Sequence, residues 1–324
     1  MQNLTRRGAV GGLGAVALAA LSGTGVASAA TAVAVDAYPD PVLDGSHATR
    51  ELTGLITSYL RDKTSLDVDR MMAHFNRDTA FYTDATIGVV TSGWTQLRAA
   101  FAQLMSFWGA GAQSYATRVI GDSRSAMILF TDSPQLFGHE LRVIAPVDFR
   151  DGRIVRQVDY WDGRHFGIAA IDQSRVPAAQ VPADFGESVV TDQSSPVLRK
   201  VVGALHAAFS AGDATAATAL FTADAVFEDL TLHTRLAGPL TIGPYLDRSL
   251  ALLPYGPGTA IRHTVGGTQG GGYEWTKKGA PVDRGVIAIE LDGRARISRL
   301  TTVWDGSLVD DATVTALLAA TIER

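Results

Sequence analysis

Apolar residues recur at helical spacing over Leu52, Leu55, Ile56, Tyr59 and Leu60, and again over Val197, Val201, Val202, Leu205 and Phe209. Each stretch predicts an amphipathic helix with one buried stripe. A second short helix then ends at Phe75 or Phe221, a strand carries AFYTD or VFEDL, and a further helix follows SG or AG. The remainder alternates as strands between Gly- and Asp-rich turns. Helices first and strands afterwards predict an α+β class, in which helices cover one face of a curved antiparallel sheet. Such an arrangement makes a cone, and the mouth of a cone is a pocket.

The whole pattern is written twice. LDVDRMMAHFNRDTAFYTD, SGWTQLRAAFAQL and RDGRIVRQVDYWDG in the first half are answered by GDATAATALFTADAVFEDL, AGPLTIGPYLDRSL and LDGRARISRLTTVWDG in the second. Matching order and spacing predict a tandem repeat. The expected organisation is a signal over 1–30, a flexible lead-in over 31–45, a first domain over 46–171, a linker over 172–196 and a second domain over 197–324. GGTQGGGYEW, residues 266–275, lacks the lysine and the strand–loop–helix context of a phosphate loop and predicts a flexible hairpin.

Composition narrows the function. The 324 residues are 46% apolar and 19% charged, enough for a sizeable core. The opening TRRGAVGGLGAVALAALSGTGVASAA has a basic start, a Gly/Ala-rich apolar stretch and an Ala27-Ser28-Ala29 ending, as export signals do. The Arg6-Arg7 pair favours the twin-arginine route, and with it an extracytoplasmic protein free of the membrane after cleavage. Cleavage removes two arginines and no acids, taking the formal charge from −5 to −7, which argues against nucleic acid as a partner. No cysteine is present, so disulfides, iron–sulfur clusters and a thiol nucleophile are excluded.

One short stretch raises a chemical question. VIAPVDF, residues 143–149, reads as a buried strand, yet Asp148 lies in it. A carboxylate there must be paired, turned to water or kept protonated.

At these residues the chain resembles the NTF2-like superfamily of cone-shaped α+β barrels, which includes the SnoaL-like cyclases and ketosteroid isomerase. HFNRDTAFYTD…SGWTQLRAAF is similar to the isomerase segment around its catalytic Asp, and VIAPVDF to its strand bearing a protonated Asp. The resemblance covers both repeats. It implies Asp84 as the base, Tyr59 as a hydrogen-bonding tyrosine and Asp148 as a neutral acid that donates to an enolate oxygen. Ketosteroid isomerase is the standard instance of a carboxylic acid held neutral by an apolar site for this purpose. Counting from Phe75 places Thr83 at the base position, and a one-residue insertion in the strand reconciles the two counts.

The implied activity is proton removal next to a carbonyl of a small apolar substrate, as an isomerase, cyclase or lyase with neither metal nor organic cofactor. Two other functions remain open. An epoxide hydrolase or polyether-type cyclase would use Asp84 with Asp148, or Asp229 with Glu228; a non-catalytic protein would simply carry a hydrophobic ligand. His139 is an alternative acid or base, and Asp162 is a late carboxylate of the kind SnoaL-like cyclases suggest. For both, and for His74, a packing or turn role competes. The second copy has Asp229 without slippage, but Leu205 opposite Tyr59 and Ile289 opposite Asp148, so it reads as a scaffold. Superfamily members often dimerise through their sheets, and a tandem chain meets that contact within itself, so a pseudo-dimeric monomer is expected.

Overall fold

The computed structural model describes residues 43–187 and 191–322. The expected export signal, most of the lead-in and part of the linker lie outside them. No helix among the described residues is long and apolar enough to cross a membrane.

The first half runs β1 (Asp44–Ala48), α1 (Arg50–Thr64), α2 (Val68–Met72), β2 (Phe81–Asp84), β3 (Val89–Ser92), α3 (Trp94–Met105), β4 (Ser114–Gly121), β5 (Ser125–Asp132), α4 (Pro134–Phe137), β6 (Leu141–Arg150) and β7 (Arg153–Asp159). After α5 (Ile168–Ser174) the second half runs α6 (Pro196–Ala211), α7 (Ala214–Thr218), β8 (Phe221–Asp229), β9 (Thr234–Ala237), α8 (Pro239–Ser249), β10 (Ala260–Gly267), β11 (Gly270–Thr276), β12 (Arg284–Leu291), β13 (Ile297–Trp304) and α9 (Asp311–Ala319).

The local chemistry repeats with the elements. Thr49 caps α1 by accepting from Leu52 N–H, and Ser195 caps α6 by accepting from Leu198 N–H. Asp67 and Asp213 cap α2 and α7 in the same way. On α6 the buried stripe uses Leu198 rather than Val197, which is exposed.

The sheets are β1-β4-β5-β6-β7-β2-β3 and β10-β11-β12-β13-β8-β9. They are mixed rather than wholly antiparallel, because β1–β4, β2–β7 and β8–β13 pair in parallel. No hairpin joins the members of those pairs, so no turn dictates their direction. Phe221–Asp229 is one continuous strand, whereas the first half breaks after Phe75 into a turn tied by Asn76, whose Oδ1 accepts from the N–H groups of Asp78 and Thr79. The extra residue of the first copy sits in this turn.

Three apolar layers result. One lies between α1–α3 and the first sheet, including Ile56, Tyr59, Phe75 and Phe101; a second lies between α6–α8 and the second sheet, including Leu205, Phe209, Phe227 and Tyr245. The third joins the two sheets face to face through Ile120, Met127, Ile144, Val158, Val265 and Val286. The glycine run of β11 belongs to this contact: a Cβ on Gly272 would stand 2.6 Å from Met127 Cε, and one on Gly270 2.9 Å from Ile120 Cγ2. Only glycine lets the sheets approach so closely there. Phe185, from the segment between the halves, is buried in the same layer.

Candidate active site

Successive residues of a strand face opposite sides of the sheet, so parity decides where each acid points. On β2, Tyr82 and Asp84 face the helix-covered interior of the first half. On β7 and just beyond it, Gln157, Asp159 and Trp161 do the same, while Arg156, Val158 and Tyr160 face the second half. Asp84 and Asp159 are register partners on neighbouring parallel strands, which places two carboxyl groups side by side.

Asp84 Oδ1 accepts from the backbone N–H groups of Thr86 and Ile87, both at 3.1 Å, and Oδ2 from the Trp161 indole N–H at 2.9 Å. Burial nevertheless pushes its pKa up to about 7, against the pull of these donors and with a further push from Asp159. Asp159 accepts from Gln157 Nε2 at 2.8 Å and from the Tyr82 hydroxyl at 2.8 Å. Burial raises it to about 6, with Gln157 and the Lys63 charge pulling down. The Tyr59 hydroxyl donates to Gln157 Oε1 at 3.2 Å and so reaches Asp159 through one side chain. Lys63, one turn further along α1, pairs with both oxygens of Asp132 at 2.9 and 3.0 Å, and Ser114 donates to the same carboxylate.

Asp148 is not part of this group. It lies on the opposite face of β6, in the layer between the sheets, where His263 Nε2 stands 2.8 Å and Arg156 Nη1 3.7 Å from it. Arg156 continues the ionic cluster to Glu274 at 2.5 Å and Glu187 at 2.6 Å. Its counterpart in the second half is Glu290, not Ile289: Asp148 pairs in register with Arg156 as Glu290 does with Arg299. Glu290 reaches across to Arg118 of the first half at 2.9 Å, as Asp148 reaches across to His263 of the second. Asp148 thus makes one of two equivalent inter-sheet contacts, and the expected triad does not converge.

The secondary candidates separate too. Glu228 faces the inter-sheet layer and pairs with Arg299 at 2.9 Å, while Asp229, next to it, points into the second interior; the proposed pair is split by parity. Asp84 and Asp148 are split in the same way. Asp162 accepts from the Gly306 N–H at 2.8 Å and Asp305 from the Gly163 N–H at 3.2 Å, so the two WDG segments clasp each other. His139 is exposed and packs on Phe166, with ring centroids 5.1 Å apart. His74 bonds Asp62 at 2.8 Å and packs edge-on to Tyr59.

Asp229 shows which part of the Asp84 environment is structural. It too accepts from two backbone N–H groups, Thr231 and Leu232, and from an indole, Trp304 at 3.1 Å. Thr86 and Thr231 each bond the backbone of the corresponding tryptophan. The Asp-x-Thr…Trp clasp therefore belongs to both halves, and Tyr255 completes it in the second at 3.2 Å.

The remaining polar set belongs to the first half alone. Tyr59, Lys63, Tyr82, Gln157 and Asp159 stand where the second half has Leu205, Phe209, Phe227, Leu300 and Thr302, as the helix caps and strand registers fix. Lys63 and Asp159 each retain 6% exposure, whereas Phe209 and Thr302 are at 0%. The first interior thus keeps a trace of exposure at its polar end, and the equivalent positions of the second keep none. Asp159 was the residue missed from the sequence, although the contrast between VDYWDG and TTVWDG carries it.

No protein-family model matches the chain. No curated protein matches it either. Among solved structures it is similar to a steroid delta-isomerase from Pseudomonas aeruginosa at 16% identity, covering 40% of this chain and 93% of that one with a TM-score of 0.32. A SnoaL-like protein of unknown function from Burkholderia thailandensis aligns at 13% identity over 36% of this chain and 98% of that one, TM-score 0.31. An NTF2-like protein of unknown function from Cytophaga hutchinsonii aligns at 8% identity over 35% and 91%, TM-score 0.30.

Proposed function

We propose that the first half is an acid–base catalyst that removes a proton next to a carbonyl of a small apolar substrate, acting as an isomerase, cyclase or lyase. Asp159 is the base, in place of the sequence-derived Asp84, and the Asp84 clasp shapes the floor beneath it. The observation that carries this reading is the polar set of Tyr59, Lys63, Tyr82, Gln157 and Asp159, built into one interior and replaced by apolar side chains and a threonine in the other. Buried polar groups cost stability unless fully satisfied, so a fold that is complete without them in one copy keeps them in the other for another reason.

The protonation states fit. Two adjacent carboxyls with values of about 7 and about 6 hold one proton between them near neutrality, which supplies an acid and a base in one place. An acid pair of this kind would also serve epoxide opening, and the substrate decides between the two. We further propose that the chain is exported, on the strength of its opening segment, and that the second half is a scaffold.

A substrate-independent test is hydrogen exchange. Full-length protein in D2O is expected to speed deuterium uptake at the α-carbons of cyclohexanone, and Asp159→Asn to remove most of that rate. General-base catalysis contributes about 10²–10⁴-fold. Uptake no faster than in buffer, or unchanged in Asp159→Asn, rejects the base.

A further inference from the structure

We propose that Lys63 and Trp108 form a carbonyl-binding subsite in the first interior, which holds the acceptor oxygen of a neutral ligand away from the acid pair. The inference rests on the reading of that interior as a substrate site. Trp108 is buried at 7% exposure, and its indole N–H has no hydrogen-bond partner. A buried donor without a partner is costly, and an indole can only donate. The Lys63 ammonium stands 5.7 Å from the centre of the Trp108 ring and 4.9 Å from that of Phe130. An ammonium has three N–H groups, and its two hydrogen bonds both go to Asp132. One ammonium N–H and one indole N–H are therefore free for a ligand.

The ligand class follows from charge and surroundings. Lys63 and Asp132 cancel, so the subsite has donors without net charge. Phe130 and Phe137 form apolar walls, the latter 6.0 Å from Trp108 ring to ring. Such a place favours a ketone or ester oxygen over a carboxylate, which would arrive as a third, uncompensated charge. Lys63 lies one turn beyond Tyr59, about 6 Å along α1, and Tyr59 leads through Gln157 to Asp159. A bound carbonyl compound would thus be polar at one end and present its C–H groups toward the acids.

The test uses the five tryptophan indole N–H resonances of the full chain. Titration with cyclohexanone is expected to move the Trp108 signal downfield and saturably, while cyclohexane does not. Replacing both members of the ion pair, Lys63→Met with Asp132→Leu, avoids an orphaned charge and is expected to weaken saturation about tenfold. The other four indole signals report whether this variant folds. If it does not, Trp108→Phe, which removes the N–H, is expected to weaken cyclohexanone binding seen from the ligand's own signals. A Trp108 signal that fails to move, moves equally with cyclohexane, or saturates unchanged in the double variant overturns the subsite, as does unchanged binding in Trp108→Phe. Saturable binding without α-exchange would sink the catalytic reading and leave the subsite standing; α-exchange with a silent Trp108 would do the reverse.

Discussion

Asp162 accepts the backbone N–H of Gly306 at 2.8 Å, and the equivalent Asp305 accepts that of Gly163 at 3.2 Å. When residue i of one half meets residue j of the other and j meets i, the contact has the form of a two-fold interface, here within one chain. Asp148 with His263 and Glu290 with Arg118 follow the same rule. These reciprocal contacts hold the halves together.

The first prediction concerns the clasp. Asp162→Ala leaves the buried Gly306 N–H unpaired, at a cost of about 1–3 kcal/mol, and Asp305→Ala removes in addition the acceptor of Arg175 at 2.6 Å and costs more. Denaturant unfolding is expected to shift to lower midpoints for both. Cyclohexanone exchange at 25 °C should be retained by Asp162→Ala, and its loss in a folded variant would return Asp162 to the catalytic candidates.

Asp148 offers a sharper contrast. Asp148→Asn weakens a buried ionic cluster and is expected to destabilise the chain by several kcal/mol, since breaking one partner of such a pair costs about 3–5 kcal/mol. Glu290→Gln is expected to behave alike because it occupies the equivalent place. A variant at Asp148 that abolished exchange while unfolding at the normal denaturant concentration would show that the carboxyl serves the reaction.

Stability should fall as pH rises through the weakly acidic range. Asp84, Asp159 and Asp229 have folded-state values of about 7, 6 and 6, all raised by burial above the unfolded value of about 4. The folded state therefore prefers the protonated form. That stabilisation is complete below about pH 4 and is lost as pH rises through about 6 and 7. Equilibrium unfolding at intervals from pH 4 to 8 checks the sign. Asp159→Asn is expected to flatten the profile, and an unaltered slope would mean that Asp159 does not titrate there.

The sheet faces that meet inside this chain are buried against each other through Met127, Ile144, Val265 and Val286. The protein is accordingly expected to be a monomer, which light scattering on the full chain would test; a stable dimer at micromolar concentration would refute it.

The sequence by itself determined the long helices and the repetition of the pattern, although the second short helices end at Met72 and Thr218 rather than at Phe75 and Phe221. Helical spacing marked α1 and α6, and the recurrence of WDG aligned the halves. It also placed Tyr59 on the buried face of its helix, while Asp84 came from the family resemblance alone. Only the tertiary structure decided which face of β6 carries Asp148. That strand is covered by helices on one side and by the second sheet on the other, so both faces are apolar and alternation, the signal that would reveal direction, is erased. The same loss hid Asp159, whose neighbours on both faces of β7 are buried. An acid in such a strand is legible as an anomaly, but what it faces depends on a partner surface that lies more than a hundred residues away in the chain.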